Sequence, residues 1–338
     1  RHNFTDLAEF VGSWTLLANG IPIEEGALPQ LSAAPGEATE VGVEVSDLEL
    51  APGVEYVLRI EYRRRRPAVW QEGDDVIAWN EFVMERQGDA PEAGESDQAL
   101  AWEESDGAIS IDGDGFAVSF DKDRGILTAI EVDGEQLLAA PLVPNFWRAV
   151  TDNDRRGQRN RKLPRDAWKA AFSNASLRNF EVEQTGPQQV KIDCLHRMPA
   201  VQAELAVSYT VDAAGHVEVH AVLERDEASP PLPRFGMTAE LISSLDQIVF
   251  YGRGPHENYW DRKAGAALGV YRLSLEEIPY DYVRPQENGN REDCRWLELT
   301  STTSATKLSV IGQPSFCFSA WPYTQATLDK AKHPTDLT

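Results

Sequence analysis

An all-β protein of antiparallel sheets is what this sequence predicts, and three observations carry the prediction. Alternating apolar residues recur in short runs, Asn-Gly, Pro-Gly and Asp-Gly pairs punctuate those runs, and nowhere do strand and helix patterns alternate as a parallel sheet or barrel requires. At 338 residues the chain exceeds the ~250 to 300 at which a single apolar core stops growing, so two domains are expected. With 42% hydrophobic and 26% charged residues, the composition is that of a folded protein with a sizeable core.

From Trp14 to Phe82 the chain reads as short strands. "WTLLANGIPIEEG" folds back at Asn19-Gly20, and "VEYVLRIEY" places Val54, Tyr56, Leu58, Ile60 and Tyr62 on one face. "LAPGVEY" supplies a further turn, and the whole reads as a small sandwich near the ~100 residues of such modules. The Arg63 to Arg66 run reads as a solvated or interface-facing strand end, which is what blocks of like charge ordinarily are. Residues 86–98, "RQGDAPEAGESDQ", hold no large apolar side chain and cannot bury enough surface to order themselves. The chain therefore divides into a first domain at 1–88, an acidic linker at 89–100 and a second domain at 101–338.

Past the linker, "GFAVSFDKDRGILTAIEVDGEQLL" puts Phe116, Val118 and Phe120 on one face, then turns at Gly125 and again at Asp133-Gly134. That is an antiparallel meander. Strand-like runs recur at "VEVHAVLER", "IVFYGR", "RWLELTS" and "KLSVIG", and the one helical candidate is "LPRDAWKAAF", with Pro164 in its first turn. The second domain is thus expected to be a large antiparallel sandwich.

The net charge of −23 repels phosphate backbones and anionic lipid alike, so neither nucleic acid nor a membrane is an expected partner. The basic residues divide into 24 Arg and 8 Lys. Scarce Lys with surplus carboxylates fits a surface adapted to high salt, where repulsion is screened, and a GC-rich genome gives the same bias through its Arg codons. Cys194, Cys294 and Cys317 are few, odd in number and without a CxxC pair, so neither a zinc knuckle nor a disulfide framework is indicated and a reducing cytoplasm fits. No apolar run approaches the ~20 residues of a membrane span. The chain begins at Arg1, with neither Met nor a signal segment, which reads as a piece of a longer protein.

Among candidate chemistries, His216 and His220 have the i, i+4 spacing of a helical zinc pair, but "GHVEVHAVLER" alternates as a strand. Four residues along a strand span about 13 Å, too far for a shared ligand. They read as histidines on an open sheet face, and His2, His196 and His333, without a carboxylate or Cys at ligand spacing, receive the same reading. No GxSxG elbow and no phosphate-cradling Gly loop occurs. Three segments do concentrate planar hydrogen-bonding groups and aromatics in turns: "NFWRAVTDNDRRGQRNR" (Asn145 to Arg161), "GPHENYWDRKAG" (Gly254 to Gly265) and "YVRPQENGNREDCRWLELT" (Tyr282 to Thr300). Such loops suit neutral polyols, whose hydroxyls need directional bonds and whose ring faces accept apolar contact. The same side chains also serve to satisfy turn backbones and to tie strands by Arg-carboxylate forks.

In that order, those segments and "FSAWPYTQATLDKAKHPTDL" resemble the C-terminal half of the large bacterial β-galactosidases of glycoside hydrolase family 2. "AVWQEGDDVIAWNEFVM", with Trp70, Glu72, Gly73 and Trp79, is similar to the end of that family's immunoglobulin-like domain, so the resemblance covers almost the whole chain. It implies an immunoglobulin-like β-sandwich followed by an antiparallel, galactose mutarotase-like supersandwich. It also implies a retaining hydrolase of terminal β-D-galactosides such as lactose, whose catalytic glutamates lie on an (α/β)8 barrel that this text lacks. No catalytic residue is accordingly expected here, and Mg2+ and Na+ are expected at the absent barrel. Asp152, Asn153, Asp154, Arg155, Arg156, Gly157, Gln158 and Arg159 correspond to a lid loop over the sugar, with Gly157 near the family's hinge glycine. Trp147, Arg148, His256, Glu257, Asn258, Tyr259, Asp261, Arg262, Glu287, Asn288 and Arg291 carry the motif matches.

Departures accompany the matches. Val150 stands where the family has Pro, an extra Arg precedes Gly157, and Trp260 replaces a Pro or small residue. The chain ends at Thr338, ahead of the family's "GGDDSW" segment and final strands, so a truncated supersandwich is expected. The resemblance implies a homo-oligomer or a large-subunit partner. Alternative readings are the non-catalytic small subunit of a split enzyme and a mutarotase-like epimerase using His256 and Glu257.

Overall fold

The computed structural model describes residues 5–46, 50–66, 69, 75–84, 96, 98–155 and 164–337. Most of the expected acidic linker, together with Trp70, Glu72 and Gly73, lies outside the described residues.

The first region is one antiparallel sheet of β1 (Phe10–Ala18), β2 (Ile21–Ala27), β3 (Tyr56–Arg64) and β4 (Val76–Val83), in the order β2-β1-β3-β4. The hairpin turns at Asn19 and Gly20 with φ of 48° and 80°, the left-handed pair that a two-residue turn matched to strand twist demands. One face carries Trp14, Leu16, Tyr56, Leu58, Ile60 and Tyr62, as the alternation requires. Val41, Val43, Val45 and Val54 cover it from a segment that joins no ladder, so the second layer of this small sandwich is a wrap of extended chain. The arginine run ends β3 as a set of local ties: Arg63 to Glu61 (2.7 Å), Arg64 to Glu9 (3.5 Å) and Arg65 Nε to the Ala8 carbonyl (3.0 Å).

The second region begins with a meander of β5 (Ala101–Glu104), β6 (Ala108–Gly113), β7 (Phe116–Asp121), β8 (Ile126–Val132), the short β9 (Glu135–Gln136) and β10 (Leu138–Asn145). A second meander follows, β11 (Ser176–Gly186), β12 (Gln189–Met198), β13 (Ala203–Asp212) and β14 (Val217–Arg225), after which β15 (Gly236–Leu241) returns to pair with β10. The last sheet runs β17-β16-β18-β19, from β16 (Gln247–Gly254), β17 (Ala267–Ser274), β18 (Arg291–Thr300) and β19 (Lys307–Phe318). Ile109, Ile111, Val118 and Phe120 of the first meander and Val190, Ile192, Leu205, Val207 and Tyr209 of the second share one core. Phe120 meets Tyr209 edge-on at 5.2 Å, an aromatic geometry that adds to area burial. The architecture is the all-β, antiparallel sandwich that the alternation predicts.

Three local departures have physical causes. The helical candidate forms a 3-10 helix, Pro164–Ala170, around Trp168, which is 1% exposed and donates its Nε1 to the Pro230 carbonyl at 3.1 Å. Helical turns also occur at Asp152–Arg155, where Thr151 and Asp154 exchange capping bonds of 3.0 and 3.3 Å, and at Gln325–Lys330, capped by Thr324. His196 is no open-face residue. It follows Val190, Ile192 and Cys194 on the inward side of β12, binds the Arg124 carbonyl at 2.8 Å, and is held below the usual imidazole pKa by burial. His216 and His220 are exposed as read, with His216 on Asp212 at 2.9 Å, and no group of three His, Cys, Asp or Glu side chains converges among the described residues. His333 is exposed beside the short helix Pro334–Asp336, and His2 lies outside the described residues.

The two regions meet along a seam. Leu17, Val57 and Leu268 form a small buried cluster across it. Arg295 grips Glu55 through two nitrogens (3.0 and 2.7 Å), and the Tyr251 hydroxyl binds the same carboxylate. Glu81 accepts the Leu268 amide (3.0 Å), pairs with Arg59 (2.9 Å) and lies 3.5 Å from Arg253.

Candidate functional site

The last sheet places two of the three polar segments side by side. Glu257, 6% exposed, follows β16, and both of its oxygens are engaged: Oε2 accepts from the Gly289 amide (2.7 Å), and Oε1 from Arg262 (2.5 Å) and the Tyr282 hydroxyl. Asn258, fully buried, donates to the carbonyls of Arg253 (2.9 Å) and His256 (3.0 Å) and accepts from the Glu292 amide (3.0 Å). Asn290 returns a bond to the Asn258 carbonyl at 2.8 Å. Each amide side chain replaces a ladder partner that an irregular backbone lacks, which is why these loops need Asn.

The third segment also reaches the first. Gln286 accepts the Asp152 amide at 2.9 Å and lies 3.3 Å from the Asp152 carboxylate. Glu287, 3% exposed, binds Arg234 through Oε1, while its buried Oε2 makes no well-formed hydrogen bond among the described residues and has the Ala149 amide near the carboxylate. Burial raises its pKa, opposed by Arg234 and more weakly by Arg148 and the Ala149 amide. Asn288 accepts from the Tyr280 amide (3.1 Å), and its carbonyl accepts from Trp321 Nε1 (3.2 Å). Arg148 forks onto Asp154 at 2.6 and 3.3 Å, and Arg155 lies 3.7 Å from Asp152. The Trp147 carbonyl accepts from Gln325 (2.6 Å), and Lys169 sits 4.3 Å over its ring.

Two further buried groups resemble Glu287 in being incompletely used. Among the described residues the Tyr259 hydroxyl, with the Asn290 amide nearby, and Arg291 Nε make no well-formed hydrogen bond; burial raises the tyrosine's pKa and lowers that of Arg291 to about 10.

The structure therefore joins Arg148, Asp152 and Asp154 to the Gln286–Asn288 loop, and that loop to Glu257, Asn258, Arg262 and Arg291. Asp261 and Asn153 are exposed outside the network, and the exposed His256 joins it only through its carbonyl. His256 and Glu257 form no working pair, because one faces solvent while the other is buried and fully engaged. Arg156, Gly157, Gln158 and Arg159 lie outside the described residues. Arg234 and Gln325 were not among the residues singled out from the sequence. Arg234 sits in "PPLPRFG", where no pattern marks it, whereas Gln325 stands in a quoted segment as the obvious free amide.

The family described as beta galactosidase small chain matches residues 112–338, and beta-galactosidase domain 4 matches residues 1–85. The beta-galactosidase of Priestia megaterium is 31% identical over 337 residues, covering 98% of this chain and 32% of its own length. That of Alteromonas mediterranea is 31% identical over 365 residues, covering 100% of this chain and 33% of its own length. That of Pseudoalteromonas haloplanktis is 27% identical over 338 residues, 96% of this chain and 32% of the relative. The chain spans about a third of the length of these curated relatives.

Proposed function

The chain belongs to the β-galactosidase family, and from that premise we propose that it is the domain 4 and small-chain portion of a retaining enzyme that hydrolyses terminal β-D-galactosides such as lactose. In this reading the two reacting carboxyls, which retention requires about 5 to 5.5 Å apart, belong to a barrel domain outside this chain. The chain contributes a lid, its stem and contacts to the rest of a larger assembly, which works in the cytoplasm. Mg2+ and Na+, if the enzyme uses them, are assigned to the barrel, and no step here depends on them.

The observation that carries the reading is the clasp of Gln286 on Asp152, which fixes the stem of the lid segment to the loops of the last sheet. Arg148 and Asp154 brace the same stem from within. Closure of that segment would exclude water from the sugar as charge develops at its anomeric carbon, strengthening every polar contact made there. Glu257 is a structural tie in this scheme, since three donors saturate its oxygens.

Two measurements test the proposal. The full-length protein is expected to hydrolyse a chromogenic β-D-galactoside while residues 1–338 alone do not, and hydrolysis by the isolated chain would overturn the assignment of the carboxyls elsewhere. Gly157→Ala in the full-length protein is expected to change turnover, whereas unaltered kcat and KM would remove the lid.

A further inference from the structure

Beside the Trp147–Gln325 contact, a half-open cavity of about 210 Å³ lies between the Pro164–Ala170 helix and the β10–β15 edge. It is smaller than the ~300 Å³ at which sites for drug-sized ligands begin, so it suits one ring with a substituent. The partly buried Phe172 supplies apolar wall, while Phe146 and Trp168, each 1% exposed, form the closed floor behind it. Trp168 is fixed in that floor by its indole N–H on the Pro230 carbonyl.

Polar groups stand beside those rings with capacity left. Thr238 is exposed and makes no side-chain hydrogen bond among the described residues, and Ser173 donates to the Ala170 carbonyl but keeps its acceptor pairs. Asn145 uses one N–H on Gln325 and one lone pair on the Trp147 amide, leaving one of each. Among the described residues no acidic side chain lines the cavity, although the chain holds 55 Asp and Glu, whereas Arg124 and Lys169 do. Lys169 is held by Asp329, but the exposed Arg124 guanidinium has no carboxylate partner among the described residues.

An aromatic face, hydroxyl and amide groups and an unspent guanidinium are the complement of a sugar ring bearing an anionic group. We propose that this cavity binds an anionic monosaccharide, the ring against Phe172 and the phosphate or carboxylate on Arg124. The site is separate from hydrolysis, and the proposal stands whether or not the reading above does.

Calorimetric titration of the full-length protein with galactose 6-phosphate, galacturonate, galactose and inorganic phosphate tests it. At least one of the two anionic sugars is expected to bind about tenfold or more tightly than either galactose or inorganic phosphate, the loss of one charged hydrogen bond corresponding to that factor. Which of the two binds identifies phosphate or carboxylate as the anion. Arg124→Ala should abolish that preference, and Thr238→Tyr, which fills the cavity from an exposed strand position, should abolish binding there altogether. Neither change touches residues assigned to hydrolysis, so β-galactoside turnover should persist in both. Equal binding of all four probes, absence of binding, or an anionic-sugar affinity unchanged in both variants would overturn the site.

Discussion

The seam between the two regions and the loop cluster of the last sheet are built from the same materials, buried glutamates opposite arginines, yet they are finished differently. At the seam every group is used: Glu55 takes Arg295 and Tyr251, and Glu81 takes Arg59 and the Leu268 amide. In the loop cluster Glu287 Oε2, the Tyr259 hydroxyl and Arg291 Nε are buried without a well-formed hydrogen bond among the described residues. Unsatisfied buried polar groups cost about 1–3 kcal/mol each, so the cluster tolerates a penalty that the seam does not carry. A fully paired network fixes orientation, whereas a partly paired one retains capacity for rearrangement or for further bonds. That contrast marks the seam as a rigid joint and the cluster as the less completely paired of the two.

The sharpest way to break the comparison is Arg295→Ala, which leaves Glu55 with only Tyr251. A loss of about 2–4 kcal/mol is expected by denaturant unfolding, below the ~3–5 of a fully buried pair because a fifth of the Arg295 side chain is exposed. A loss under about 1 kcal/mol would place the seam among ordinary surface pairs.

Next comes Asp293, which Arg253 and Lys263 join at 2.6 and 2.9 Å and hold below the usual carboxylate pKa against the opposing effect of burial. Its contribution is present above the unfolded value of about 3.9 and is lost as pH falls through the depressed folded value. Asp293→Asn should cost about 1–3 kcal/mol at neutral pH and flatten the acid limb of the stability profile. Glu287 has the opposite sign: with its folded pKa raised, its contribution is present at low pH and fades as pH rises from about 4.3 through the folded value. Glu287→Gln should therefore remove a decline above pH 4 and change stability at pH 7 by less than about 1 kcal/mol. Parallel pH profiles for the two variants would erase the distinction between paired and half-paired carboxylates.

A smaller effect is expected from Tyr282→Phe, which removes one of the donors to Glu257 at a cost of about 1 kcal/mol. Smallest of all should be the salt dependence of the Arg295→Ala deficit. Raising salt toward 1 M, where the screening length is about 3 Å, should stabilise both proteins by relieving the repulsion of a −23 chain while leaving their difference nearly constant.

Local features could be read from the text because their causes are local. Asn19-Gly20 and Asp133-Gly134 adopt the positive φ angles that their residue types favour, and the faces of β3 and β7 follow from simple alternation. The seam could not be read, since Glu55 and Arg295 stand 240 residues apart and nothing in either neighbourhood points to the other. Arg59 and Glu81 occupy the polar face of an alternating sheet, which reads as solvent-facing until a second region covers it. His196 was misplaced for the related reason that a polar residue at an inward position looks no different from one at an outward position until its buried acceptor, the Arg124 carbonyl, is known. The loop cluster was visible as composition but not as connection: Gln286 lies in a quoted segment, yet its grip on Asp152 spans 134 residues.

Gly20 lies flat beneath the Tyr251 ring, where an added Cβ would come within 2.5 Å of it. Tyr251 lies in the strand that ends at Gly254, only six residues before Glu257. A side chain at position 20 would therefore have to displace the Tyr251 ring, and with it the strand that leads to Glu257.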